Sequence, residues 1–362
     1  MRIIAPLPCA KKRIRLKKLI DFKNKYNEKV FFYGWDRDKN SSEIHEPLYE
    51  SSYILSGGGF ANKKARFMYI FWFFSVLRLC LSFKKNEVVW AMGFETAFPA
   101  LIISKIKGFK VIFDDADRFS YIFTQQNFLI NIIKFMEYQV SKYSNLHVIP
   151  CFERYGFQNK SMFVLKNTPE RHEVQKARNY ILNENLSNFR KNHQTIIYVN
   201  GWLTDTRGMQ QIYELSKNSD LGILIAGRID SDYIRSILDF DNVRYMGEVS
   251  SVEALNFYLY SDYVFTFYDP VIPINVLAES NKWGDAIEMK TPIIINSEVV
   301  TGDFLRKANI CISSPYNDSL GLYQKIKNTD ISILKRNLNK VSNEIGFFDD
   351  QLRNLFNNGL GK

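Results

Sequence analysis

Cysteine and histidine are scarce and scattered in this chain of 362 residues. None of the four cysteines forms a Cys-x-x-Cys pair, and the four histidines share no spacing typical of metal ligands; these residues are Cys9, Cys80, Cys151 and Cys311, and His45, His147, His172 and His193. The pattern argues against a zinc site and against a disulfide framework. It fits a reducing compartment, so we expect a cytoplasmic protein.

Long hydrophobic runs are also missing. The most apolar stretch, residues 63–85, has about eleven apolar residues before Arg78, which is too short to span a bilayer. The N-terminal Ile3-Ile4-Ala5-Pro6 is too short for a signal peptide, and the basic run follows it instead of preceding it. No internal repeat or low-complexity tract is present. With 46% apolar and 24% charged residues, the chain is expected to be globular and long enough for two domains.

The charge is concentrated in the first part of the chain. Residues 1–165 carry 26 Lys and Arg against 14 Asp and Glu, or +12, whereas residues 166–362 carry 22 against 24, or −2. This asymmetry suggests an anionic partner for the first part, such as a membrane face or a phosphorylated lipid, or simply a basic surface. Nucleic acid is not expected, because neither a recognition helix nor an aromatic-basic platform for single strands can be identified.

Residues 63–85 combine basic flanks with many aromatic side chains. Lys63, Lys64 and Arg66 precede the apolar run, and Lys84 and Lys85 follow it. This composition suits a helix lying in a membrane interface. A buried helix of the first domain has the same appearance, and both interpretations can hold for different faces of one helix.

Strand-like and helix-like segments alternate along the chain and the alternation restarts near Thr195. This order predicts an α/β protein with two doubly wound, Rossmann-like domains. We place the first domain at 1–170, the second at 171–340 and a C-terminal helix at 341–362, which can return to the first domain.

The stretch 275–296 predicts a loop, a short helix and a buried strand. Ser280 is a plausible N-cap for a helix from about Asn281 to Met289, and Pro292 ends it before an apolar strand. Lys282 and Asp285 are three residues apart and share a face. Helix amides and Lys282 can bind a phosphate group, and Asp285 can accept hydrogen bonds from ribose hydroxyls. An ordinary surface helix with one salt bridge would have the same spacing.

This stretch resembles a known family. Asn281-Lys282-Trp283-Gly284-Asp285-Ala286, followed by Lys290-Thr291-Pro292-Ile293-Ile294, is similar to the nucleotide-sugar segment of bacterial GT-B glycosyltransferases of the family 4, or group 1, type. The resemblance places Asp285 where the family has its ribose-binding Glu, and Lys290 where the family usually has Gly. The family's upstream Glu falls on Leu277, so Glu279 or Asn275 is left as a candidate for that role.

The resemblance extends over residues 195–300. Gly201 to Gly208 is similar to the family's phosphate loop, with Arg207 in the place of its Lys and Trp202 in the place of its Arg. An Arg at a helix start can bind a diphosphate with two hydrogen bonds, although a solvent-exposed Arg in a first turn would look the same. Gly227 ends a strand in a tight turn. Gly247 matches a segment that often lies against the nucleotide base.

The first domain offers weaker candidates for an acceptor site. Asp114-Asp115-Ala116-Asp117-Arg118 follows a strand, where Asp115 and Asp117 can position or deprotonate a hydroxyl, or merely cap the next helix. Arg118, Arg13 in the basic run, Gly58 in a glycine loop and Glu95 in the loop after a strand are the predicted acceptor-binding residues.

The resemblance implies a two-domain transferase with a donor bound by the second domain and an acceptor by the first, across a cleft. It implies sugar transfer from a nucleotide-diphosphate sugar to a glycan or lipid-linked glycan, with retention of configuration and no obligatory metal or other cofactor. The basic first half favours a peripheral position at the inner membrane face, in surface polysaccharide synthesis. A nucleotide-sugar epimerase and a non-catalytic relative in a polysaccharide assembly complex stay open as alternatives.

Overall fold

The computed structural model describes residues 1–39, 49–59, 63–116, 118–121, 128–180 and 184–359, and it divides into two compact units. Unit 1 comprises Met1–Leu165 together with Asp349–Lys362, and unit 2 comprises Lys166–Phe348. The division falls slightly before the predicted boundary at 170. The returning C-terminal segment begins at Asp349, later than the predicted start at 341.

Unit 1 is built on a parallel sheet of seven strands in the order β3-β2-β1-β4-β5-β6-β7. Its strands are β1 (Arg2–Ile4), β2 (Phe31–Asp36), β3 (Glu50–Ser56), β4 (Val88–Met92), β5 (Lys110–Asp114), β6 (Leu146–Ile149) and β7 (Met162–Val164). Its helices are α1 (Ile14–Lys25), α2 (Lys63–Cys80), α3 (Phe94–Lys107) and α4 (Phe128–Tyr143). Helices α2, α3 and α4 cover one face of the sheet, with Trp72, Ala97 and Val140 packed in one cluster with strand residues.

One predicted loop in unit 1 is wrong. The sequence predicts a loop at 93–99, which contains Glu95, followed by a helix at 100–106. The structure begins α3 at Phe94, directly after Gly93 at φ 79°, and includes Pro99 within the helix. Glu95 therefore lies in the first turn of a 14-residue helix.

Unit 2 contains a second parallel sheet of six strands in the order β10-β9-β8-β11-β12-β13, the doubly wound arrangement. Its strands are β8 (Thr195–Asn200), β9 (Leu221–Ala226), β10 (Val243–Tyr245), β11 (Tyr263–Thr266), β12 (Ile293–Asn296) and β13 (Cys311–Ser314). Its helices are α5 (Arg171–Arg178), α6 (Glu184–Asn192), α7 (Met209–Ser216), α8 (Asp232–Arg235), α9 (Ser251–Phe257), α10 (Pro273–Val276), α11 (Asn281–Met289), α12 (Asp303–Lys307), α13 (Ser319–Asn328) and α14 (Ile331–Ile345).

Helix α15 (Phe348–Asn354) follows and continues into a wider turn at Leu355–Gly359. Leu352 and Leu355 are fully buried, and the Phe356 ring stacks on Phe22 at a centroid distance of 6.0 Å. The end of the chain is thus part of the core of unit 1, on the side of the sheet that α1 covers. Among the described helices, none is long and apolar enough to cross a membrane.

Candidate functional site

Helix α11 presents its N-terminus at the edge of the unit 2 sheet where the strands end. The Ser280 hydroxyl accepts a hydrogen bond from the Lys282 backbone N–H at 3.3 Å, so the predicted cap is present. The helix runs from Asn281 to Met289 as predicted. Gly284 lets the helix pack closely against the backbone of Asn167, since a Cβ at Gly284 would lie 2.1 Å from the Asn167 carbonyl oxygen. The first turn of α11 is therefore held firmly in place with Asn281 exposed.

Lys282 extends from this first turn to the end of strand β8. A Cβ built on Gly201 would lie 3.6 Å from the Lys282 Cε atom and 3.8 Å from Nζ, so the ammonium group lies against the Gly201 backbone. Burial and then the positive charge of Arg207 lower the pKa of Lys282 to about 8, and Asp285 opposes part of this shift. A buried ammonium group close to a second cation forms a site suited to an anion.

Arg207 belongs to a loop that is tied to the end of strand β11. The backbone N–H of Asp269 donates to the Thr206 carbonyl at 2.9 Å, and the Arg207 guanidinium lies 4.5 Å from the centre of the Tyr268 ring. Gly208 follows at φ 77°, where a Cβ would lie 2.5 Å from the Phe267 Cβ. The loop can therefore reach β11 closely only with glycine at this position.

The glycines predicted to bind a donor follow three neighbouring strands: Gly201 follows β8, Gly227 follows β9 and Gly247 follows β10. Gly227 N–H donates to the Gly247 carbonyl at 2.7 Å, and a Cβ on Gly227 would lie 2.1 Å from the Gly201 carbonyl oxygen. Gly227 also has φ 121°. Around Gly247, by contrast, a Cβ would meet no described atom within 4 Å. The strand ends are thus packed closely at Gly201 and Gly227 and open at Gly247.

Asp285 lies one turn farther along α11 and faces a polar group that the sequence analysis missed. Burial and the Asp285 carboxylate raise the pKa of Tyr258 well above its usual range. The Asn200 amide lies 3.4 Å from the Tyr258 hydroxyl, and its Oδ1 atom has no hydrogen-bond partner among the described residues. Asn200 directly precedes Gly201, which is the signal that could have indicated it.

Trp202, in the place of the family's Arg, is 62% exposed at the end of β8. Its indole N–H donates to Asp230, and the guanidinium of Arg228 lies 5.6 Å from its ring centre. Arg228 follows Gly227 and pairs with Asp230 at 2.9 Å. A second guanidinium therefore lies near this loop, supplied by the neighbouring strand end. Arg228 could not be predicted from the sequence, because only the pairing of β8 with β9 brings it close to Trp202.

The side chains around Leu277 are engaged inside unit 2. Lys166 contacts Glu279 at 2.8 Å, and the Glu279 side chain is only 4% exposed. The Asn275 amide donates to the Asp269 carbonyl at 3.0 Å. Both candidates for the role of the family's upstream Glu therefore hold the loops together in this structure.

In unit 1, two of the predicted acceptor residues remain in contact with solvent, Glu95 partly and Arg13 largely. Arg13 is exposed at the start of α1. Burial raises the pKa of Glu95 to about 7, with Asp115 adding to the rise and Arg37 and Arg13 opposing it. These groups thus share one electrostatic environment near the ends of β4 and β5. A carboxyl group with a pKa of about 7 can exchange a proton at neutral pH.

Two further predicted residues of unit 1, Asp115 and Arg118, are buried and paired, and Gly58 is covered by a neighbouring side chain. Asp115 is 1% exposed and accepts a hydrogen bond from the Tyr155 hydroxyl at 2.8 Å. Arg118 is 8% exposed and pairs with Glu137 at 3.2 Å. Gly58 is covered by Met68, whose Cγ would lie 2.9 Å from a Cβ. These contacts favour structural roles. Asp117 lies outside the described residues.

Neither unit shows a metal-like cluster within the described ranges. No group of three or more His, Cys, Asp or Glu side chains there has the arrangement of a metal site.

By sequence, no family model and no curated protein matches the chain. Solved structures match over nearly its full length. HepE from Anabaena, solved with UDP, has a TM-score of 0.67 at 11% identity and covers 99% of this chain and 100% of its own. Trehalose-6-phosphate synthase from E. coli, solved with UDP-2-fluoro glucose, has a TM-score of 0.68 at 8% identity, with 99% of each chain covered.

The chain has the GT-B fold. The predicted fold class, two Rossmann-like units, is therefore confirmed. A UDP-N-acetylglucosamine 2-epimerase is also similar, with a TM-score of 0.61 at 12% identity and coverage of 100% of this chain and 96% of its own. At such identities the similarity concerns the fold, and GT-B proteins include enzymes of more than one reaction class.

Proposed function

We propose that the chain is a glycosyltransferase that moves a sugar from a nucleotide-diphosphate sugar to an acceptor hydroxyl. The observation that carries this proposal is the meeting of Lys282, Arg207 and the N-terminus of α11 beside Gly201. This arrangement places two cations and the positive end of a helix at one point of unit 2, which suits a diphosphate. HepE and trehalose-6-phosphate synthase were solved with UDP or a UDP-sugar, which makes UDP the first nucleotide to test.

The proposed reaction breaks the bond between the anomeric carbon and the diphosphate oxygen. Negative charge develops on the departing diphosphate, and Lys282, Arg207 and the positive end of the α11 dipole stabilise it. Asp285 accepts hydrogen bonds from the ribose hydroxyls. We propose retention of configuration: the acceptor oxygen attacks on the face that the diphosphate leaves, and the acceptor proton passes to a diphosphate oxygen. In this scheme the protein cations neutralise the leaving group without a metal ion.

We further propose a glycan or lipid-linked glycan as the acceptor, in surface polysaccharide synthesis at the inner face of the cell membrane. Unit 1 is the proposed acceptor unit because Glu95 and Arg13 share one electrostatic environment there. The +12 charge of residues 1–165 supports an anionic or membrane-bound acceptor.

Thermal stabilisation by UDP, GDP, ADP, CMP and their sugar conjugates tests the donor site directly. A ligand at a hundred times its dissociation constant adds about 2.7 kcal/mol of stability. We expect a shift with one diphosphate nucleotide that is lost in Lys282→Ala and reduced in Asp285→Ala. The exposed Lys340→Ala change in α14 is a matched control and should leave the shift unchanged. The shift and the transfer activity should both survive EDTA.

No thermal shift with any nucleotide would contradict the proposed transferase activity. It would favour a non-catalytic partner in a polysaccharide assembly complex, which the departures from the family pattern at Trp202 and Leu277 also suggest. Loss of activity in EDTA that manganese restores would contradict only the metal-independent mechanism.

A nucleotide-sugar epimerase is the second candidate, because a UDP-N-acetylglucosamine 2-epimerase has a similar fold. The two activities differ in whether an acceptor is needed. Incubating the protein with a bound nucleotide sugar in the absence of acceptor, followed by product analysis, separates them. An epimerised sugar nucleotide would identify the epimerase, whereas turnover that depends on an added glycan would identify the transferase.

A further inference from the structure

The outer face of the helical layer formed by α2, α3 and α4 in unit 1 is unusually apolar. Large side chains point outward from all three helices: Phe67 and Phe74 are 59% and 61% exposed, Ile106 is 75% exposed, and Phe128, Leu129 and Phe135 are 77%, 64% and 62% exposed. We call this the three-helix surface. The opposite face of the same helices forms the core, where Trp72, Val76 and Cys80 of α2 are fully buried. The outward residues are therefore in excess of what folding requires.

The three helices lie side by side, so their outer faces form one continuous surface. The rings of Phe73 in α2 and Phe98 in α3 are 5.6 Å apart, and the Lys105 ammonium at the end of α3 donates to the Tyr143 carbonyl of α4 at 3.1 Å. Helix α2 has 18 residues and so extends about 27 Å at about 1.5 Å per residue. Neighbouring helices pack about 8–10 Å apart. The apolar surface is therefore large for a monomeric protein.

The charges at the border of this surface have one sign. Arg78, Lys84, Lys85, Lys107 and Lys142 are all exposed. Among the described residues of 63–142, no Asp or Glu is fully exposed: Glu87 pairs with Arg2, Glu95 is partly buried, and the remaining carboxylates are buried. The three helices and the segments between them thus carry exposed cations and, among their described residues, no fully exposed carboxylate. Such a surface matches a membrane of anionic lipids, whose acyl region takes the aromatic rings and whose headgroups take the Lys and Arg side chains.

We propose that unit 1 docks flat onto an anionic lipid bilayer through the three-helix surface. A second copy of the chain fits less well, because pairing this surface with itself would bring cations of the same sign together. Docking through three helices differs from the single interfacial helix at 63–85 that the sequence suggested, since one face of α2 is buried and α4 contributes the most exposed ring, Phe128. The inference deepens the proposed membrane location but does not depend on nucleotide binding.

Vesicle flotation with the full chain tests the surface. We expect the wild type to float with vesicles of phosphatidylcholine and phosphatidylglycerol, and to bind pure phosphatidylcholine vesicles far more weakly. Removing one outward ring by Phe74→Ser or Phe135→Ser should weaken binding about tenfold, because each ring leaves the acyl region. The double change Arg78→Gln and Lys107→Gln should weaken binding on the order of twentyfold, and high salt should weaken it similarly.

Matched controls come from unit 2. Val271→Ser and Leu320→Ser remove apolar side chains that are even more exposed, at 84% and 73%, and should leave vesicle binding unchanged. All variants should keep the wild-type thermal shift with nucleotide, so loss of docking and loss of donor binding are separate results. Absence of flotation with anionic vesicles at low salt would overturn the proposal. So would a wild-type dimer in light scattering that Phe74→Ser converts to a monomer without any effect on vesicle binding.

Discussion

Lys290 ends helix α11 in the left-handed backbone conformation, with φ 64° and ψ 34°. The resembling family usually has glycine at this position, and the structure gives the physical reason: the helix must end in a turn that glycine adopts without steric cost. We expect Lys290→Gly to raise the free energy of unfolding by about 0.5–1 kcal/mol in urea denaturation.

The matched control is Lys340→Gly, at an exposed position inside helix α14, which should lower the free energy of unfolding by about 1 kcal/mol. If Lys290→Gly were destabilising as well, the contacts of the Lys290 side chain, such as its attraction to Glu288, would outweigh the backbone strain.

Lys282 predicts how donor binding depends on pH. Burial and the nearby Arg207 lower its pKa to about 8, while a bound diphosphate favours the charged ammonium. Binding above pH 8 therefore requires uptake of a proton, and affinity should fall by up to tenfold per pH unit between about pH 8 and 10. Isothermal titration with the nucleotide across this range measures the slope.

The conservative variant Lys282→Arg should bind with a flatter profile, because a guanidinium stays charged throughout this range. Lys282→Met should bind weakly at every pH. The stability of the free protein depends on pH in the opposite direction to nucleotide affinity. Between about pH 8 and 10.5 the unfolded state keeps the Lys282 proton and the folded state loses it. The free energy of unfolding should therefore rise over this range more in the wild type than in Lys282→Met. A wild-type binding profile as flat as that of Lys282→Arg would exclude Lys282 from phosphate binding.

At the scale of elements, the loops after β8 and β9 depend on glycine to different degrees. Gly227 has φ 121° and no room for a Cβ against the Gly201 backbone, whereas Gly247 has φ 79° and open space. We expect Gly227→Ala to cost more than about 2 kcal/mol and to abolish nucleotide binding, because the Gly201 loop must shift. Gly247→Ala should cost only about 1 kcal/mol from backbone strain.

Urea denaturation and the thermal shift with nucleotide measure both effects. Equal costs for the two variants would show that the contact between Gly227 and Gly201 is not what holds these loops.

Elements with strong local signals were predictable, and contacts between elements were not. Ser280 and Pro292 mark the two ends of helix α11 in the sequence, so its limits were predicted correctly. The predicted loop at Glu95 is instead the first turn of α3, because the packing of that helix between α2 and α4 outweighs the hydrogen bond that Pro99 cannot donate. Asn200, Tyr258 and Arg228 reach the candidate donor site through strand pairing and helix packing, which spacing along the chain does not encode. Their roles require the fold.

At the scale of the whole molecule, the chain leaves unit 1 after Leu165 and returns to it at Asp349. The returning segment contributes to the hydrophobic core of unit 1. Leu352 and Leu355 are fully buried, and the Lys23 ammonium lies 3.5 Å from the centre of the Phe356 ring. Residues at the two ends of the sequence thus share one cooperative unit.

We therefore expect Leu355→Ala to destabilise unit 1 by about 2–5 kcal/mol while leaving unit 2 intact, because the side chain leaves a cavity in one core only. Hydrogen exchange measured by mass spectrometry should show faster exchange in peptides from α1 and β4 and unchanged exchange in peptides from 195–345. Asn354→Ala, an exposed change on the preceding residue, is the matched control and should leave both units unchanged. The thermal shift with nucleotide should persist in Leu355→Ala, since the candidate donor residues all belong to unit 2. Faster exchange spread evenly over both units would instead mean that the two unfold together, and the C-terminal segment would then stabilise the molecule as a single cooperative unit.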